Sequence, residues 1–375
     1  MPIGYTWAVH DDIEQRKSQH LDLALREEVE PAGSDPLFGC VRLVHRALPE
    51  LRLADVDLTV ELCGVQLRAP LMIVGMTGGT ERAGRINRDL ALLAEEEGIA
   101  FGLGSMRILL REPERLPTFE VRPARPPLFL ANLGAQNFAR DPSAADKLIE
   151  LVGADGICIH LNAAQELVQP EGDRDFTGCL DAIGALAQRL GPRLVVKETG
   201  CGIGPEVARA LHDRGVRTID VSGAGGTSWT RVEQLRAEDP VARAVGGLLS
   251  DWGIPTAACV AAAAIQRLDG LRLIASGGVR SGLDVARAIA LGATAGGFAL
   301  PLLKAHEKGG LEGARQEIRA AVASLKAACL LVGARNVAEL QKTRPIVLEP
   351  LRAWVEQLST RAAALASARG QVGFR

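Results

Sequence analysis

Beyond about residue 70, continuous apolar runs alternate with stretches whose apolar positions recur at helical spacing. The runs at 70–76, 99–104, 128–133, 156–161, 194–198, 218–221, 271–275 and 296–300 predict eight strands. They are apolar throughout, not alternating, as strands buried on both faces should be. Helical patterns fill the gaps. Residues 84–96 place Ile86, Leu90, Leu93 and Ala94 on one face. A short helix at 205–214 carries Pro205 in its first turn, where the missing N–H costs nothing. Another, at 284–291, follows Ser281 as N-cap and runs into Gly292 as C-cap. Over 311–332, Leu311, Ala314, Ile318, Ala321, Leu325, Ala328 and Val332 form one apolar stripe. Eight successive β-then-α units match a closed (β/α)8 TIM barrel better than an open doubly wound sheet.

Before the barrel, residues 56–68 predict a hairpin turning near Gly64, placed to close the barrel's N-terminal end. The first fifty or so residues read as polar and irregular, and 347–366 as one more amphipathic helix. No Gly-, Pro- or Ser-rich linker splits off a second domain. The expected organisation is a lid segment and hairpin over 1–69, the barrel over 70–335 and a helical tail over 336–375.

The chain has 375 residues, 43 Lys and Arg against 45 Asp and Glu, and only 3% aromatic residues. That balance gives no electrostatic case for nucleic acid or an anionic membrane, though a local cationic pocket stays open. The core must rely on Ala, Leu, Val and Ile. Seven cysteines without C-x-x-C spacing read as reduced thiols. With no apolar signal core or membrane-length run, the expected location is the cytoplasm.

The chemistry gathers at strand ends, where parallel α/β proteins build their sites. The fourth run ends in His160-Leu161-Asn162-Ala163-Ala164-Gln165-Glu166, a polar cluster that is costly beside a buried strand unless it meets a ligand. A strand cap would leave His160 and Asn162 bonding backbone alone. Glu166, a hard carboxylate, suits Mg2+ shared with phosphates, whereas uncharged Gln165 would relay a proton without owning it. Lys197 emerges from the fifth run and suits a Schiff-base nucleophile, a phosphate contact or a cation beside an anionic heterocycle; an ion pair with Glu198 competes. After the seventh run, Ser276-Gly277-Gly278 can bring backbone N–H groups to a phosphate, with a plain tight turn as the alternative. Met76-Thr77-Gly78-Gly79, Gly104-Ser105-Met106-Arg107 and Asn132-Leu133-Gly134 end the first three runs. Ala299-Leu300 ends the eighth. The loop Ser222–Trp229 adds hydroxyls and an aromatic suited to stacking on a planar cofactor. A basic cluster, Gln15–His20, is either a solvated face or a lid over an anion.

In this order, R-K-x-x-H, M-T-G-G, G-S-x-R, N-L-G, H-x-N-x-x-Q-E, V-K-E, G-A-G-G-T-S-W and S-G-G resemble the type 2 isopentenyl diphosphate isomerases from about Arg16 to Arg335. The resemblance implies an enzyme of isoprenoid biosynthesis that interconverts isopentenyl and dimethylallyl diphosphate. It would use FMN in its reduced form, NAD(P)H as reductant, and Mg2+. Carried over by position, Met76, Thr77, Ser105, Asn132, Lys197, Ser222, Thr227, Gly277, Gly278, Ala299 and Leu300 would contact FMN. Arg16, Lys17, Ser105, Arg107, His160, Asn162 and Gln165 would contact the diphosphate substrate, and Glu166 would hold Mg2+. Gln165, Lys197 and His160 would carry the catalysis. A homo-oligomer, tetramer or octamer, is also implied, with Trp354 and Leu358 of the tail as interface residues. The ends before Arg16 and after about Arg344 are longer than usual for the family. A 2-hydroxy-acid oxidase would need a His base near the seventh strand, and none lies between His212 and His306. A nucleotide-type dehydrogenase would need a Cys in the loop after the sixth strand, and 222–229 has none. A phosphate sensor that had lost its chemistry would have shed His160, Asn162, Gln165, Glu166 or Lys197.

Overall fold

A computed structural model of the protein describes residues 13–369. Eight parallel strands close into a barrel: β1 (Leu71–Ile73), β2 (Ala100–Gly102), β3 (Leu128–Gly134), β4 (Gly156–Leu161), β5 (Leu194–Glu198), β6 (Thr218–Asp220), β7 (Arg272–Ala275) and β8 (Ala295–Phe298). β8 pairs with β1, with Gly296 opposite Leu71 and Phe298 opposite Ile73. Every apolar run of the sequence supplies one strand, in order. The first and last strands are shorter than their runs. β1 stops at Ile73 and β8 at Phe298, so Met76, Thr77 and Ala299 lie past the strands at the mouth, and Leu300 opens the next helix.

Inside the barrel Met72, Val74, Ala100, Leu128, Leu130, Cys158, Val195, Ile274 and Ala295 form one cluster. Leu62, Cys63 and Leu67 of the hairpin Val60–Leu62 and Val65–Leu67 join that cluster. The hairpin therefore plugs the end opposite the site, and polar side chains are left to the other end. The helices Glu81–Glu97, Pro205–Asp213 and Gly282–Ala290 form the expected outer layer, with Thr80 and Ser281 capping the first and last through their hydroxyls.

Two expectations about the ends need correction. The N-terminal region is not irregular throughout: Ile13–Arg26 is a helix, α1, that turns Leu21 and Ala24 inward and crosses the barrel mouth. The tail is not helical from 347. Ile346–Val347 pairs antiparallel with Val41–Arg42, and the helix Leu351–Arg369 starts only after Pro350, which has no N–H to give a preceding turn. The helix expected over 311–332 forms as read, set off by a break at Gly309 and Gly310 from the turns before it in the span Leu300–Val332. Among the described residues no helix is long and apolar enough to cross a membrane.

Candidate active site

The C-terminal mouth of the barrel encloses about 1560 Å³ of space that opens to solvent. All of the expected site residues, from Arg16 and Lys17 on the lid to Ala299 and Leu300 after β8, line it. They come from the lid helix and from loops at every strand end, so closure of the barrel is what assembles them.

The floor is Lys197, 6% exposed at the end of β5. Its Nζ donates to the backbone carbonyl of Glu198. The Glu198 carboxylate turns away and accepts the N–H groups of Thr199 and Gly200 at 2.6 Å and of Gly202 at 3.2 Å, and also that of Cys201. The competing Lys197–Glu198 ion pair is not formed. The ammonium is left to act on whatever fills the cavity.

One wall is a constrained glycine turn after β7. Gly277 and Gly278 have φ of 92° and 73°, a conformation that disfavours any side chain. A Cβ on Gly277 would fall 2.2 Å from the Gly223 carbonyl oxygen. Thr256, fully buried, donates to the Gly277 carbonyl at 2.6 Å and pins the loop. The helix Gly282–Ala290 begins just beyond and points its N-terminus this way. Arg280, which sequence reasoning missed, adds a guanidinium paired with Glu30. Its signal was a lone cation two residues past the glycines.

The opposite wall comes from β4 and the short helix α2 (Ala163–Val168). His160 Nδ1 bonds Asn132 Oδ1 at 2.7 Å; the oxygen accepts, so the ring proton sits on Nδ1. Burial, reinforced by Lys197, Lys17 and Arg107, pushes His160 down to about 3, and the ring is neutral near pH 7. Asn162 donates to Glu166 Oε1 at 2.9 Å and accepts from Gln136 at 3.3 Å. These are side-chain networks, not the backbone caps that a plain strand end would show. Glu166 Oε2 accepts the Asp173 N–H at 2.6 Å, and Arg107 stands 3.8 Å from Oε1.

Gln165 has a partner that sequence reasoning did not find. Its Nε2 donates to Glu233 Oε1 at 3.1 Å. Glu233 lies on α3 (Trp229–Arg236) and is wholly buried. It also receives His20 of the lid at 2.9 Å and an ion pair from Arg236. Burial alone would raise this carboxyl, but His20, Arg236 and the Gln165 bond outweigh it and hold it at about 2. Glu233 sits inside a helix of ordinary composition, so no local pattern marks it. Trp229 lines the cavity and meets the His20 ring edge-on at 5.2 Å.

The lid is latched by polar contacts. Arg16 pairs with Glu171 at 3.0 Å, a carboxylate that Arg236 also reaches at 3.4 Å. Arg82 bridges Asp22 of the lid and Glu307 at 2.8 and 2.9 Å. Lys17 donates to the Ser105 carbonyl at 2.8 Å and lies 5.7 Å from the Phe119 ring centre. Burial, then the charge of Arg16, lowers Lys17 to about 7. Of the Gln15–His20 cluster, Arg16, Lys17 and His20 line the cavity, and Gln15, Ser18 and Gln19 are exposed.

Comparison with known proteins identifies the family and the fold. The FMN-dependent dehydrogenase family matches residues 126–346. A Pyrococcus horikoshii protein named isopentenyl-diphosphate delta-isomerase is 42% identical over 352 residues, covering 91% of this chain and 94% of its own length. One of the same name from a Synechococcus species is 46% identical over 310 residues, covering 82% and 88%. Among solved structures, a flavocytochrome b2 variant superposes with a TM-score of 0.64 at 15% identity, over 89% of this chain and 84% of its own. A mandelate oxidase variant with an FMN adduct gives 0.61 at 17%, over 87% and 99%. At such identity these two share the fold.

Proposed function

Since the chain belongs to the isopentenyl-diphosphate delta-isomerase family, a family of FMN-dependent barrels, we propose that its lidded mouth interconverts isopentenyl and dimethylallyl diphosphate on reduced FMN with Mg2+. The observation that carries this reading is a single cavity with Lys197 on its floor, a constrained glycine turn on one wall and Arg16, Lys17 and Arg107 over its mouth. The positive-φ glycines, the helix N-terminus and Arg280 fit the FMN phosphate, and Lys197 fits the pyrimidine edge of its ring. Thr77, Ser105, Asn132, Ser222 and Thr227 supply polar groups along the same path. Among the described residues no group of three or more His, Cys, Asp or Glu could hold a metal. Glu166 alone therefore suits Mg2+ only jointly with diphosphate oxygens and water, a common Mg2+ arrangement.

Moving the double bond adds a proton at one carbon and removes one nearby. Reduced FMN, supplied by NAD(P)H as reductant, brings an electron-rich ring able to exchange a proton near N5. The residues do the rest. Arg16, Lys17, Arg107, His160 and Asn162 hold the diphosphate, and the lid excludes water, which strengthens every charge inside. Gln165 orients the substrate face opposite the flavin, and the proton there has a route through its amide to Glu233. The same reading includes a cytoplasmic homo-oligomer, supported by the exposed apolar residues Val241, Leu248 and Trp252.

The test is anaerobic incubation with isopentenyl diphosphate and Mg2+, FMN reduced and then oxidised, scoring dimethylallyl product. Product with reduced FMN alone is expected; none under either condition refutes the reading. Glu166→Gln should raise the Mg2+ concentration needed for half-maximal rate at least tenfold, and an unchanged Mg2+ titration would remove Glu166 as ligand. Lys17 gives a pH signature. In the free protein its charge is lost as pH rises through about 7. A diphosphate beside it favours the charged form, so binding near pH 8 should take up a proton. Calorimetry in two buffers of different ionisation enthalpy should show this uptake, and Lys17→Met should reduce it.

A further inference from the structure

Asp220 ends β6 beneath the cavity floor, 1% exposed, and the reaction as described gives it no role. Ser276, just past β7, donates its hydroxyl to this carboxylate, 2.7 Å from Oδ1 and 2.9 Å from Oδ2. The Ser222 N–H reaches Oδ1 at 3.3 Å. In the β5–β6 ladder Asp220 is the direct register partner of Lys197. Side chains opposite one another on neighbouring strands share a face, so carboxylate and ammonium project to the same side of the barrel wall. Burial raises the Asp220 carboxyl, while Lys197 and the two serines work against that rise. The nearby thiols add no charge: burial lifts Cys63 to about 11 and Cys158 higher still.

A buried carboxylate beside a buried ammonium is seldom worth its desolvation to stability. Its effect here is electrostatic. An anion next to Lys197 cancels part of the positive field that the ammonium sends into the cavity.

We propose that Asp220 is a positioning residue that limits how much of the Lys197 charge reaches the FMN ring. The proposal rests on the FMN site argued above. Weakening the positive field costs the anionic reduced ring more than the neutral oxidised one. The bound flavin is then more electron-rich when reduced, and its potential lies lower than Lys197 alone would set it.

The test uses the FMN-loaded full chain and reads the midpoint potential at pH 7 against a reference dye. Asp220→Asn keeps the size of the side chain and an oxygen for Ser276 while removing the charge. It should favour reduced over oxidised FMN about tenfold more than wild type, a shift of about 30 mV to the positive side for a two-electron couple. Ser276→Ala keeps the charge but frees the carboxylate to turn toward Lys197, and should shift the potential negative. A wild-type potential in loaded, folded Asp220→Asn overturns the proposal. If that variant does not fold, an unchanged potential in Ser276→Ala overturns it instead. Failure of the wild-type chain to hold FMN would count against the FMN site itself, a separate outcome.

Discussion

Lys197→Ala should yield a folded barrel that elutes colourless and does not isomerise isopentenyl diphosphate. Lys197 is buried at the end of β5, and its Nζ is anchored by the Glu198 carbonyl with its charge toward the cavity. Among the described residues, the other Lys and Arg lining the cavity are Arg16, Lys17, Arg107 and Arg280, on its walls and lid and not its floor. Loss of one preorganised electrostatic group in a site closed to water costs on the order of 10²–10³ in rate. Weakened FMN retention adds to that loss, so activity with stoichiometric FMN should fall at least about a thousandfold. The measurement is FMN per chain after gel filtration, followed by turnover with FMN restored. Wild-type turnover with bound flavin would remove Lys197 from the cofactor site.

Gln165→Ala should separate chemistry from structure. Gln165 is partly exposed on α2, so its loss should leave the fold and the FMN content as they are. The isomerisation rate should drop by about 10²–10⁴, the range for a group that handles a proton in the transition state. Glu233→Gln should give a comparable loss of rate with a different signature. Glu233 is wholly buried and paired with Arg236 and His20, and removing one partner of a buried pair typically destabilises by about 3–5 kcal/mol. A lower melting temperature for Glu233→Gln but not for Gln165→Ala would match this arrangement. A normal rate in both would sink the proton route.

Much of this site was legible before folding. His160 and Lys197 stand at the end of an apolar run and Gly277 just past one, and strand ends of parallel sheets face one side. Counting runs was enough to bring them together. Glu233 and Arg280 escaped because neither breaks a local rule: one sits on an ordinary helix, the other beside a loop already read for its glycines. The N-terminal helix escaped for a related reason. Among its described residues the buried apolar side chains are Leu21 and Ala24, with Leu23 and Leu25 half-buried beside them, a stripe too broken by polar residues to read as an apolar pattern, and its polar contacts reach distant elements.

The H-x-N-x-x-Q-E cluster shows where local pattern stops. The apolar run before it and its polar character were enough to place it at the mouth of a barrel, because those properties depend on near neighbours. The partners were not. Gln165 meets a carboxylate 68 residues away, and His160 an amide 28 residues away. Which buried polar groups satisfy one another depends on closure of the barrel and descent of the lid. Only the folded chain shows that the proton on Gln165 has a buried carboxylate behind it.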